Sequence, residues 1–186
     1  MVSRLLRNDG PRDVACCHLE EHLETSVRVK ESKKRANKRC ALRETPLKLD
    51  FTGRAKTNDV AVARLIGFEA KEIADGRATV VLEAGPQHAN PMGTLHGGIL
   101  CDIADAAMGM AFASTLAPGE SFTTVELKIN FFRPVWQALL RANGKVVRRG
   151  RSLGYVECEI TDERGQLVAK AASTCLVLRG EEAKGR

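Results

Sequence analysis

The sequence predicts an α+β domain in which a curved antiparallel sheet of five to six strands wraps around one central helix. Two observations carry this. The stretch from Ile99 to Leu116 is long, apolar and free of Gly or Pro clusters except for Gly109, which favours a helix. On either side of it lie short segments of alternating polarity, the spacing of half-buried strands.

Before the helix, Val60 to Ile66 reads as one or two helical turns. Phe68 to Ile73 reads as a strand broken by Ala74-Asp75-Gly76. Ala78, Val80 and Leu82 then alternate with Thr79, Val81 and Glu83 until Gly85-Pro86 ends the run. A loop from Gln87 to Leu95 leads into His96-Gly97-Gly98 and a helix over Gly97 to Leu116. After it, Val125, Leu127, Ile129 and Phe131 alternate with Thr124, Glu126, Lys128 and Asn130, and Arg133-Pro134 ends the strand. Strands follow at Leu139 to Arg148, around Val156, Cys158 and Ile160, and from Gln166 to Leu178. Four successive strands joined by short turns imply an antiparallel meander.

A length of 186 residues suits one domain with some chain left over. Residues 1–58 hold 14 Lys/Arg against 8 Asp/Glu, which accounts for the whole net charge of +6, since residues 59–186 hold 15 of each. That first part has no sustained period and carries the basic run Lys30 to Arg39. It reads as a basic, mostly disordered extension, with a short helix at most around Val14 to Glu24. The domain is expected over 59–180 and a polar tail over 181–186.

Aromatics make up 4% of the chain, which leaves little from which to build a base-stacking platform and argues against nucleic acid as the main partner. No run approaches the ~18 apolar residues of a membrane span, and Met1 to Gly10 lacks a signal-peptide core. The expected location is the cytoplasm. The six cysteines contain no C-x-x-C pair, and reduced, mostly buried thiols are expected. Cys16, Cys17, His18, His22 and Cys40 match no familiar zinc spacing, so no metal and no cofactor is expected.

The helix carries only two charges, Asp102 and Asp105. A helix apolar nearly all round is expected to be buried, and a carboxylate inside it needs a reason. The helix dipole suffices for Asp102. Asp105 lies deeper among Ala104, Ala106 and Ala107, which leave room for a ligand. Gly97 and Gly98 put backbone N–H donors at the helix start, a site for an anion or a developing oxyanion. Asn90, that donor-rich start and Asp105 together can polarise a carbonyl and position a water. His96 is read as holding the loop by a backbone hydrogen bond rather than moving protons, and His88 as exposed. Phe112, Phe131, Phe132 and Met108 are candidates to shape a pocket, though such residues more often form core.

Asn90-Pro-Met-Gly93-Thr94-Leu95-His96-Gly97-Gly98, followed by Asp105-Ala106-Ala107, resembles the signature of hotdog-fold acyl-CoA thioesterases of the PaaI type, relatives of 4-hydroxybenzoyl-CoA thioesterase. The resemblance covers about Asp59 to Arg179. It implies an acyl-CoA substrate whose thioester carbonyl meets the Gly97 N–H, with Asn90 orienting carbonyl or water. Asp105 would act as general base or, less often, as nucleophile, and Thr124 would hold the water. It further implies a homodimer as the minimum active unit, with Asp105 and Thr124 of one chain facing Gly97 and Asn90 of the other, and often a homotetramer. His96 and Gly98 would lie against the substrate, and Arg133, Arg148 and Arg149 are candidates for the coenzyme A phosphates. Some relatives add a polar side chain from the last strand, for which this chain offers only Ser173, Thr174 and Cys175.

Two other functions fit the same fold: an acyl-CoA hydratase, whose His and acid would be spaced differently, and a non-catalytic acyl-CoA sensor whose basic segment binds nucleic acid. No helix-turn-helix can be drawn in residues 1–58, and a sensor has no need of Asp105.

Overall fold

The computed structural model describes residues 60–184, so the basic extension and the Cys/His set within it lie outside the described residues. A short helix α1 (Ala61–Ile66) leads into β1 (Phe68–Ala74) and β2 (Arg77–Ala84). Asp75 and Gly76, both at positive φ (49° and 74°), form the two-residue turn between them, the backbone twist that a tight hairpin requires. A 3₁₀ turn at Pro86–His88 and the loop to Leu95 precede the long helix α2 (Gly97–Ala113). The sheet continues through β3 (Ser121–Phe131), β4 (Ala138–Arg149), β5 (Leu153–Thr161) and β6 (Leu167–Leu178).

All six strands join one antiparallel sheet in the order β1-β2-β4-β5-β6-β3. The expected meander of four strands holds only for β4 to β6. β3 leaves it and pairs with β6, because α2 and its connection carry the chain from β2 past the sheet before β3 begins. β1 and β3 are therefore the two edges, and the sheet is curved but not closed.

Leu100, Ile103, Ala104, Ala107, Met108, Ala111 and Phe112 form one buried stripe along α2 at the spacing of a core-facing helix. The opposite side carries exposed Asp102 and Asp105. The helix is thus not buried all round, as its composition suggests, since a sheet covers only one side of it. It also ends three residues earlier than expected. Ser114 and Thr115 turn their hydroxyls onto the carbonyls of Ala111 and Phe112 (2.7 Å each), a local bond that competes with helix continuation. Ser114 Oγ also accepts from the Gly76 N–H (2.8 Å), which ties the helix end to the β1–β2 turn.

The helix lies unusually close to the centre of the sheet. A Cβ on Gly144 of β4 would stand 2.4 Å from the Ala107 carbonyl oxygen, and one on Gly154 of β5 would stand 2.0 Å from the Phe112 ring. The obstacle at Gly144 is backbone, which cannot rotate away. Gly144→Ala is therefore expected to destabilise the protein by at least the ~1–3 kcal/mol of an overpacked core, measured by urea unfolding. A variant as stable as the parent would show that helix and sheet can separate at no cost.

Candidate functional site

α2 runs antiparallel to β3, and three contacts set the alignment. A Cβ on Gly97 would lie 3.1 Å from the Phe131 ring, and one on Gly109 would lie 3.4 Å from the Phe122 ring. Between them Thr124 Oγ1 donates to Asp105 Oδ1 (3.3 Å). β3 can present Phe122, Thr124 and, further on, Leu127 and Ile129 to the helix side only because its register shifts between Thr124 and Glu126. Val125 is the extra residue of this bulge, and it reverses the alternation beyond Thr124.

At the start of α2, His96 is the N-cap and its Nδ1 accepts from the Gly98 N–H (2.8 Å), the loop-holding bond expected for it. Gly98 is thereby engaged, whereas the half-buried Gly97 N–H has no partner among the described residues. It occupies the end of the helix where unbonded donors and the dipole favour negative charge. Asn90 builds the preceding loop. Its Oδ1 accepts from Met92 and Thr94 N–H (2.9 and 3.2 Å) and its Nδ2 donates to Thr94 Oγ1 (2.9 Å), leaving one amide hydrogen.

A cleft of about 380 Å³ opens beside Asn90 and Gly97, lined also by Phe131, Phe132 and Arg133. Phe112 and Met108, the other pocket candidates, are fully buried in the core. His88, expected to be exposed, is also buried. The Gly85 N–H donates to its Nδ1 (3.2 Å) and its Nε2 bonds the Ile66 carbonyl (2.8 Å), so it ties the end of α1 to the loop ahead of α2.

Asp105 as a residue is exposed, but its carboxyl is tucked toward β3. Burial pushes its pKa above the ordinary value, the Thr124 hydroxyl opposes that shift, and the Asp102 charge adds to it. The arginines divide. Arg149 pairs with Glu120 (3.0 Å), bonds the Gly150 carbonyl and covers the Phe112 ring. Glu120 also takes Arg179 (2.6 Å), and the Ala117 N–H, then Arg179 and Arg149, hold its carboxyl below the usual range. Arg133 donates to Gln166 (2.6 Å) at the cleft, and Arg148 is exposed beside Ser152 and Tyr155.

Residues 92–169 match the model of the Thioesterase superfamily. A 1,4-dihydroxy-2-naphthoyl-CoA hydrolase of Listeria monocytogenes is 30% identical over 112 residues, 60% of this chain and 91% of the relative. The chain belongs to the thioesterase superfamily. The mouse acyl-coenzyme A thioesterase 13 is 30% identical over 94 residues, 47% of this chain and 64% of that one. Among solved structures, the Escherichia coli PaaI protein superposes with a TM-score of 0.64 at 25% identity, covering 69% of this chain and 92% of that one. This hotdog-fold thioesterase is accordingly a thioester hydrolase.

Two placements are not legible in the sequence: the Phe131 ring against Gly97, and the burial of Ser173 and Cys175, the latter across the ladder from Thr124. The only sequence signal for the pair is polar residues in the otherwise apolar run Ala171 to Leu178.

The raised pKa of Asp105 also has a stability consequence. The unfolded carboxyl titrates near 3.8 and the folded one higher, so the native state binds its proton more tightly and stability falls as pH rises through that interval. Asp105→Asn is expected to melt at a higher temperature than the parent at pH 7, with the difference shrinking below pH 4. A gain independent of pH would show that ionisation is not its source.

Proposed function

We propose that this thioesterase hydrolyses acyl-CoA thioesters at a site shared between two copies of the chain. The observation that carries the reading is the placement of its two halves on α2. The Asp105–Thr124 pair and the Gly97 N–H are eight residues apart on one helix, about 12 Å along the axis at ~1.5 Å per residue. One carbonyl cannot meet both within a chain. A second copy brings the Gly97 end of its helix to the Asp105 end of the first, and the edge strand β3 and the open face of α2 are the surfaces available for that pairing.

In this site the Gly97 N–H polarises the thioester carbonyl and stabilises the oxyanion that forms on attack. The free amide hydrogen of Asn90 helps orient the carbonyl or the water. Asp105 takes the proton of the attacking water and Thr124 holds that water and the carboxylate in register. His96 and Gly98 shape the loop against the substrate. Arg133 and Arg148 are better placed than Arg149 for the coenzyme A phosphates, because Arg149 would have to give up Glu120. The names of the relatives support a coenzyme A leaving group.

The test is thiol release from a panel of short, medium, long and aryl acyl-CoAs, corrected for the protein's own cysteines. Asp105→Ala is expected to lose at least about a hundredfold in kcat, the scale of a lost base. Turnover undiminished in the variant, or no turnover with any acyl-CoA, would overturn the assignment.

The shared site has its own test. Gly97→Pro deletes one donor at a helix position that tolerates proline and is expected to lose about 10²–10³-fold. Mixing it with Asp105→Ala and allowing subunits to exchange should restore roughly a quarter of the parent activity, since half the dimers then hold one intact site. Mixtures no more active than their components would place both halves in one chain.

A further inference from the structure

The inward-facing row of β6 runs Ala169, Ala171, Ser173, Cys175 and Val177, all buried. Its two polar members are 1% and 0% exposed. A buried hydroxyl costs stability unless bonded, and the bond given to Ser173 Oγ is to Cys175 Sγ, at 3.9 Å. An alanine there, as at the neighbouring positions, would avoid that cost. Cys175 in turn stands directly across the ladder from Thr124, at the last paired position before the Val125 bulge. Directly opposed residues of an antiparallel pair project to the same face, so the Cys175 thiol and the Thr124 hydroxyl are neighbours there.

We propose that Ser173 and Cys175 are positioning residues that aim the Thr124 hydroxyl at Asp105, through a directed chain of hydrogen bonds. Ser173 O–H donates to the Cys175 sulfur, the Cys175 S–H donates to Thr124 Oγ1, and the Thr124 O–H donates to Asp105 Oδ1. A hydroxyl has one proton, and with its lone pair occupied by the thiol that proton points to the carboxylate. The other carboxylate oxygen, Oδ2, is left to receive the proton of water. No proton moves along the chain in the reaction; its role is orientation. Burial, the leading influence on Cys175, keeps it a thiol and therefore able to donate. The groups facing Asp105 among the described residues are Thr124, Cys175 and Asp102.

This inference rests on the assignment of Asp105 as the base. It separates cleanly from a packing role, because a cysteine that merely fills space is replaced better by alanine than by serine, whereas a donor is replaced better by serine. Cys175→Ala is expected to lower kcat about five- to tenfold, the worth of one hydrogen bond, with KM unchanged. The acid limb of the kcat profile should move to higher pH, since Asp105 loses support for its charged form. Cys175→Ser should restore both. Carboxyl ¹³C NMR of Asp105 gives the same reading without a substrate, its titration moving up in Cys175→Ala and back in Cys175→Ser. If Cys175→Ala keeps the parent kcat and Asp105 titration, or if Cys175→Ser is the worse variant while still folded, the chain does not position Thr124. Loss of activity in Asp105→Asn in the same assay shows that the underlying assignment stands even then, and activity retained in Asp105→Asn overturns both.

Discussion

The close approach of α2 to β4 and β5 is the constraint on which the rest depends. Gly144 and Gly154 let the helix backbone and the Phe112 ring rest where side chains would otherwise stand. With the helix seated at that depth, its axis and rotation are set by the buried stripe from Leu100 to Phe112. One flank of it then falls along β3, and the Gly97–Phe131, Asp105–Thr124 and Gly109–Phe122 contacts follow as consequences of one alignment. A helix standing further out would keep its stripe covered but lose the Thr124 bond to Asp105.

The same seating explains how a carboxylate survives on a mostly apolar helix. Asp105 is neither in the core nor freely in water. It lies at the open edge of the helix–sheet contact, desolvated enough to hold its proton more tightly than usual yet bonded by a hydroxyl. In that intermediate environment the carboxyl keeps its charge yet binds its proton more tightly than a solvated aspartate, whereas an unpaired buried one would be neutral. The charge costs stability at the pH where it is ionised, which is the expected exchange between stability and function. Asn90 and His96 knit the loop, and Glu120 gathers two arginines and a backbone N–H at the far end of the sheet.

Much of this was legible in the sequence. The strand positions, the Asp-Gly turn and the helix start can be read from period and turn chemistry, because each is a property of a short stretch of chain. His88 could not be read, since one partner, the Gly85 N–H, is local but the other, the Ile66 carbonyl, becomes a neighbour only when α1 packs against the loop. α2 ends before its composition suggests because Ser114 and Thr115 bond the carbonyls behind them, and the long-range bond from Gly76 holds Ser114 there.

The strand order and the face of Thr124 belong to tertiary structure alone. Strict alternation sets Thr124 opposite to Leu127 and Ile129, and so away from the helix. One inserted residue, Val125, puts all three on the helix side. Amino-acid type does not announce a bulge, since valine is at home in any strand. What selects it is the need of β3 to pair with β6 on one side while meeting a helix already fixed by Gly144 and Gly154. The sequence by itself determined which chemical groups are present and how they are spaced along the chain. Packing decided which of them touch, because contact depends on the register between segments, and register is a compromise among all the surfaces that must be buried at once.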